Sequence, residues 1–132
     1  LARRKLQLSV VDDQVGCPTW ARNLAGVSAR LLGRSDLMKA GKPGRTLHYC
    51  DADATSWYDF ARLVFDTAVE LGLLETPPKL QSVASSDYPQ VAQRPHNSVL
   101  DTTAIQALGI RPAGLRRSLK ACMEEWLDNE PE

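Results

Sequence analysis

Apolar positions recur along this chain in two periods, and polar turns separate them. The β-branched run Leu8 to Val11 predicts a short strand. Trp20, Leu24, Val27 and Leu31 recur at i, i+4, i+7 and i+11, which predicts a helix over 19–33. Thr19 is placed to cap that helix with its hydroxyl, and Gly33 to end it. Arg45 to Cys50 alternates, with Leu47 and Tyr49 on one face, and predicts a second strand. Ser56, with Asp59 three residues on, has the spacing of a capping box and opens a second helix. Phe60, Leu63, Val64, Ala68 and Leu71 form its inner stripe, Gly72 is its C′ residue, and Pro77-Pro78 bars continuation. Leu80 to Ala84 predicts a short strand, and Asp101 caps a short helix ending near Leu108. A last helix covers 115–127, with Leu115, Leu119, Cys122, Met123 and Trp126 on one stripe. Its other face carries Arg116, Arg117, Lys120, Glu124 and Glu125, which solvate it.

Composition narrows the classes. A chain of 132 residues makes one domain with a modest core, and 43% hydrophobic residues place it among folded proteins. A formal net charge of zero argues against non-specific nucleic-acid binding, which needs a basic surface. No apolar run approaches the ~20 residues of a membrane span, and no signal peptide follows Arg3, Arg4 and Lys5. Cys17, Cys50 and Cys122 form no CxxC pair, so neither a zinc site nor a disulfide framework is indicated, and reduced thiols in a cytoplasmic protein are expected. Leu1, Lys5 and Leu8 sit at helical spacing with nothing before them to cap a helix, so the chain reads as a piece of a longer protein.

Three regions carry candidate chemistry. Asp12, Asp13 and Gln14 stand where the first strand ends, before Gly16 and Pro18 turn the chain into its first helix. Open α/β sheets place ligands at such polar turns, although the turn is also sufficient as a simple connection. The loop over 34–44 is basic and carries Gly41, Pro43 and Gly44. Glycine-flanked N–H groups bind anions, but GxxxxGKS/T is absent and the motif grounds favour a solvated loop. Residues 85–98 form the least regular stretch, and a loop of that length in a compact domain is a binding loop, a lid or disordered. It holds Arg94, His96, Asn97 and Ser98; His96 has no partner motif and reads as a surface histidine. Asp12 and Asp13 make no metal set by themselves.

Three stretches then fall in order. The first is Val10-Val11-Asp12-Asp13-Gln14-Val15-Gly16-Cys17-Pro18-Thr19. The second is Thr55-Ser56-Trp57-Tyr58-Asp59-Phe60-Ala61, and the third runs from Tyr88-Pro89 through Arg94-Pro95-His96-Asn97-Ser98-Val99-Leu100-Asp101. Together they resemble the C-terminal part of the dTDP-4-dehydrorhamnose reductases, a family of extended short-chain dehydrogenases, over about residues 6–127. The sequence departs from that family at Val15, where an aromatic is usual, at Cys17, where a small residue is usual, and near Leu115, where a tryptophan is usual. None of these is a polar ligand, so they touch packing more than binding.

The resemblance implies an α/β fold, the C-terminal part of a Rossmann-like extended short-chain dehydrogenase with a small substrate-binding lobe. Residues 1–132 would be the substrate-binding portion, with the N-terminal NADPH-binding half absent. Leu8 to Val11 and Arg45 to Cys50, each followed by a helix, would be parallel strands of that sheet. The implied chemistry is hydride transfer from NADPH to the C4 ketone of dTDP-4-dehydro-L-rhamnose, with a tyrosine as acid. The family's Tyr-x-x-x-Lys is missing, because Tyr49, Tyr58 and Tyr88 are followed four residues on by Asp53, Arg62 and Ala92. No catalytic residue, metal ligand or cofactor-binding residue is therefore expected here.

The dTDP-sugar substrate still needs protein groups, and four are expected to supply them. Arg94 would hold the diphosphate with its planar fork, stiffened by Pro95, unless it instead bridges to Asp87 or Asp101. Asn97 and Ser98 would bond the sugar or the nucleotide, unless they simply cap the turn before the next helix. Gln14 leaves the strand end on the substrate side. A piece of this kind uncovers apolar faces, so marginal stability or self-association, such as a homodimer, is expected. The competing reading is a non-catalytic binding or regulatory subunit on the same fold, of the type of the methionine adenosyltransferase regulatory subunit.

Overall fold

The computed structural model describes residues 7–37, 45–87 and 92–129. The N-terminal helical reading of Leu1 and Lys5, the loop glycines Gly41 and Gly44, and Tyr88-Pro89 lie outside the described residues.

Strand β1 (Gln7–Val11) pairs in parallel with β4 (Lys79–Val83), Gln7 standing opposite Lys79 and Val11 opposite Val83. A two-residue ladder joins β2 (Val15–Gly16) antiparallel to β3 (Thr55–Ser56), and Asn97 bridges Val15 from its other side. The helices are α1 (Ala21–Leu32), α2 (Trp57–Glu70), α3 (Thr103–Gln106) and α4 (Leu115–Asp128). Helix α2 packs on β1 and β4, and α4 packs on α2. On that helix pair Glu70 accepts from Lys120 Nζ at 2.8 Å, with Arg116 at 3.8 Å. The α/β class follows from this alternation.

The parallel partner of β1 is therefore Lys79–Val83 and not Arg45–Cys50. Residues 45–50 run as chain without a ladder. The backbone that follows is held by the turns before two helices instead of a strand: Asp51 N–H donates to Thr19 Oγ1 at 3.1 Å and Ala52 N–H to Ala113 O at 2.8 Å.

The local signals of α2 hold. Ser56 Oγ accepts the Asp59 N–H at 3.1 Å, which satisfies one of the free donors of the first turn. At the far end Gly72 has φ +72, with its N–H donating to Val69 O at 3.0 Å and Leu73 N–H donating to Ala68 O at 2.8 Å. That is a Schellman ending, and its left-handed residue favours glycine.

Helix α1 differs. It begins at Ala21, and Thr19 does not cap it: its hydroxyl donates to Cys17 O at 2.9 Å and accepts the Asp51 N–H at 3.1 Å. The carboxylate at this helix start is that of Asp51, fully buried, which accepts Trp20 N–H at 3.1 Å and Asn23 Nδ2 at 2.8 Å. Asp53 serves α4 in the same way, accepting the Leu115 N–H at 3.0 Å from a left-handed backbone with φ +73. Thus the short segment Asp51-Ala52-Asp53 fastens two helix starts.

The core is small. Val27, Ile105 and Ile110 are its buried centre, with Leu31 and Tyr49 packed against them. Helix α3 is shorter than the sequence reading, and Asp101 accepts the Thr103 N–H at 2.8 Å at its start. Trp126 and Leu24 stand on apolar stripes but are 54% and 46% exposed, so those stripes extend past the surfaces that cover them within this chain.

Candidate functional site

The polar turn after β1 is built from carboxylates that bind neighbouring strand ends. Asp12 accepts from the Ser56 hydroxyl at 2.5 Å and from Ser82 Oγ at 3.1 Å. Asp13 accepts from the Ser85 N–H at 3.0 Å and from its hydroxyl at 2.5 Å. The Ser85 hydroxyl and N–H beside it hold the Asp13 carboxyl below its ordinary value, with a smaller share from His96. Gln14 is buried, and its amide donates to Ser85 Oγ at 2.7 Å.

The downstream end of the irregular loop returns to the same turn. Val15 N–H donates to His96 O at 2.8 Å, and Ser98 N–H donates to Val15 O at 2.9 Å. His96 Nδ1 lies 3.0 Å from Asp13 O. Ser85 and Ser98 are consequently both held at this turn, on Asp13 and Val15.

Arg94 projects from this anchored loop and is exposed. Neither expected carboxylate takes it: Asp101 accepts the Thr103 N–H, and Asp87 accepts Ser86 Oγ at 3.3 Å. Among the described residues the guanidinium has no ion-pair partner. Asn97 Oδ1 accepts the Val99 N–H at 2.9 Å, the turn-capping alternative read from the sequence, while its amide nitrogen faces no described partner. Ser98 Oγ donates to Val15 O at 3.2 Å and lines a cleft of about 180 Å³.

That cleft lies between Gly16-Cys17, Cys50, Trp57 and the Ser98–Leu100 segment. Among the described residues lining it there is no Asp, Glu, Lys, Arg or His. Burial, with a neighbouring Cys50 thiol, pushes the Cys17 thiol up to about 11. Burial, with a hydrogen bond to Asp51, pushes the Tyr49 phenol up to about 12. Both walls are therefore neutral near pH 7. A second hollow of about 180 Å³ lies between α1, α2 and α4, with Trp20, Phe60 and Leu119 in its walls.

Sequence reasoning missed Ser85, Asp51 and the cleft walls at Cys50 and Trp57. Trp57 was legible as a first-turn aromatic, but nothing local shows that it stays open. Among the described residues no three His, Cys, Asp or Glu side chains come together as metal ligands, and no helix is long and apolar enough to cross a membrane. Arg34, at the start of the basic loop, is committed to Asp36 at 2.8 Å and to Leu108 O at 3.2 Å.

A parallel strand pair with helix α2 packed on it, and α4 packed on α2, makes this an α/β domain. The chain belongs to the RmlD substrate binding domain family, whose profile matches residues 1–127. It is 40% identical over 121 residues to the dTDP-4-dehydrorhamnose reductase of Aggregatibacter actinomycetemcomitans, covering 91% of this chain and 41% of that protein. It is also 40% identical over 106 residues to that of Escherichia coli K12, covering 80% of this chain and 35% of the relative. The fold is shared with a crystal structure of the Bacillus anthracis reductase in complex with NADP, at TM-score 0.77 and 22% identity, over 93% of this chain and 39% of the other. The chain thus spans about two fifths of the length of these relatives or less.

Proposed function

We propose that this chain is the substrate-binding part of a dTDP-4-dehydrorhamnose reductase, which reduces dTDP-4-dehydro-L-rhamnose with NADPH in dTDP-L-rhamnose synthesis. The observation that carries the reading is Arg94, exposed and without an ion-pair partner among the described residues, four residues before Ser98, which lines a neutral cleft. Such a guanidinium can fork onto diphosphate oxygens, and a segment held at Asp13 and Val15 loses less entropy on binding. Asn97 and Ser98 then meet the sugar or the nucleotide with the Asn97 amide and the Ser98 hydroxyl. Gln14 contributes from beneath, through Ser85, to the placement of the loop. Binding energy from these groups orients the ketone for attack.

NADPH, when bound, supplies the hydride. Among the described residues no glycine-rich turn links a strand to a helix start as a dinucleotide's pyrophosphate requires. In this reading the cofactor and the acid tyrosine belong to a portion outside this chain, and no step of the reduction is assigned to residues within it. A cytoplasmic setting and self-association through the uncovered apolar faces go with it. The reported relatives carry reductase names, which does not favour the regulatory-subunit alternative.

The test is calorimetric titration of the folded chain with dTDP, against UDP and inorganic phosphate. Saturable binding that prefers dTDP supports the reading. A folded sample with no affinity for dTDP overturns it.

A further inference from the structure

We infer that Trp57 is the stacking platform for the pyrimidine base of the ligand, so that the cleft beside it takes the uncharged ring while the phosphates lie outside, at Arg94. This rests on the reading of the chain as a binder of a nucleoside-diphosphate sugar and adds which end of that ligand enters the cleft.

Trp57 is the first residue of α2, and its position is fixed from three sides. Its N–H donates to Gln14 O at 3.3 Å, the preceding Ser56 caps the helix, and its ring meets Phe60 edge-on at 6.1 Å between centroids. Even so, Trp57 is 45% exposed and lines the cleft. Leu100, in the same cleft, is 43% exposed. Two large apolar side chains held open at one hollow mark a place where a ligand completes the packing.

The chemistry of the walls selects the moiety. With no ionised side chain in the lining, a phosphate would be desolvated there without a counter-charge, which is strongly unfavourable. The guanidinium of Arg94, with no ion-pair partner among the described residues, is the better seat for it. A pyranose bears hydroxyls on most of its carbons, and a mainly apolar cleft would leave most of them unsatisfied. A planar base needs a flat apolar face and a few polar contacts at its edge. Trp57 and Leu100 offer the first; the Ser98 hydroxyl in the lining offers the second, with the amide of the adjacent Asn97, which meets no described partner.

The experiment titrates thymidine, dTDP, L-rhamnose and inorganic diphosphate into the wild-type chain and into Trp57→Phe and Trp57→Leu, reading tryptophan emission and heat. Thymidine and dTDP are expected to quench wild-type emission. Trp57→Phe should abolish the quench but keep dTDP affinity within about threefold, because a flat ring remains. Trp57→Leu should weaken dTDP about tenfold or more while leaving diphosphate binding unchanged. Thermal melts establish that both variants are folded, and the Phe variant carries the test if the Leu variant is not. An unchanged dTDP affinity in a folded Trp57→Leu overturns the stacking role alone. Quenching by L-rhamnose but not by thymidine overturns it too, by placing the sugar in the cleft. Failure of the wild-type chain to bind dTDP overturns the functional reading and this inference together.

Discussion

The amide of Asn23 donates to the Asp51 carboxylate at 2.8 Å and to the Ser118 hydroxyl at 2.9 Å, joining the start of α1, the segment after Cys50, and α4. Asp51 also accepts Trp20 N–H at 3.1 Å and the Tyr49 hydroxyl at 2.8 Å. Replacing Asp51 by Ala removes an acceptor from Trp20 N–H, the Asn23 amide and the Tyr49 hydroxyl at a fully buried position, and Asn23 alone keeps another in Ser118. A loss of about 3 kcal/mol or more in unfolding free energy is expected. Urea denaturation measures it, and a loss below about 1 kcal/mol would refute the role of this junction.

Arg94→Ala should weaken dTDP binding by about tenfold or more, the cost of losing a charge-assisted fork on the diphosphate. Stability should hardly change, because no described residue pairs with the guanidinium. Titration of both forms at one fixed ionic strength decides it, and an unchanged Kd rejects the phosphate assignment.

A Cβ on Gly16 would stand 2.8 Å from Ser98 Oγ. Gly16→Ala should therefore turn the Ser98 hydroxyl away from Val15 O and lower dTDP affinity several-fold, with a small effect on Tm. The signature is non-additivity: Gly16→Ala combined with Ser98→Ala should bind as Ser98→Ala does alone. Additive losses would show that Gly16 acts by another route.

Three exposed carboxyls are held below their ordinary values. For Asp13 the main cause is the hydrogen bonds from Ser85, for Asp101 those from Thr103, and for Glu70 the bond from Lys120. A depressed folded-state value means stability fully present above the ordinary values, 3.8 for Asp and 4.5 for Glu, and lost as pH falls through the lower folded values. Urea midpoints recorded between about pH 5 and 2 should fall accordingly. Asp13→Asn should flatten part of that fall, and an identical pH profile would remove Asp13 from the account.

What the sequence revealed was what short-range chemistry decides. Ser56 and Asp59 announce a helix start because donor and acceptor lie within one turn, and Gly72 announces its end because only the local backbone needs a left-handed residue. The turn at Asp12 to Gly16 and the loop around Arg94 were legible as polar interruptions. Their convergence was not, since Ser85 and His96 reach Asp13 from far along the chain. The strand expected at Arg45 to Cys50 alternates correctly, but alternation cannot show whether an edge is free to receive it. Thr19 has the chemistry of a helix cap, yet the distant Asp51 carboxylate holds that helix start, and no spacing rule links the two. Gln14 reads as leaving the strand end on the substrate side, and the structure buries it with its amide on Ser85 Oγ.

Gln7 lies opposite Lys79, so this parallel ladder closes across helices α1 and α2. Such a pairing bears on the order of events during synthesis. At ordinary elongation rates β1 leaves the ribosome roughly four to fourteen seconds before β4 does. Through that interval Leu8, Val10 and Val11 lack the partner that β4 supplies, while α2 can already coil locally. The nascent chain therefore passes through a window in which the β4-facing edge of β1 is open, available to a chaperone or to another nascent chain, and that edge is filled only when Val83 arrives opposite Val11.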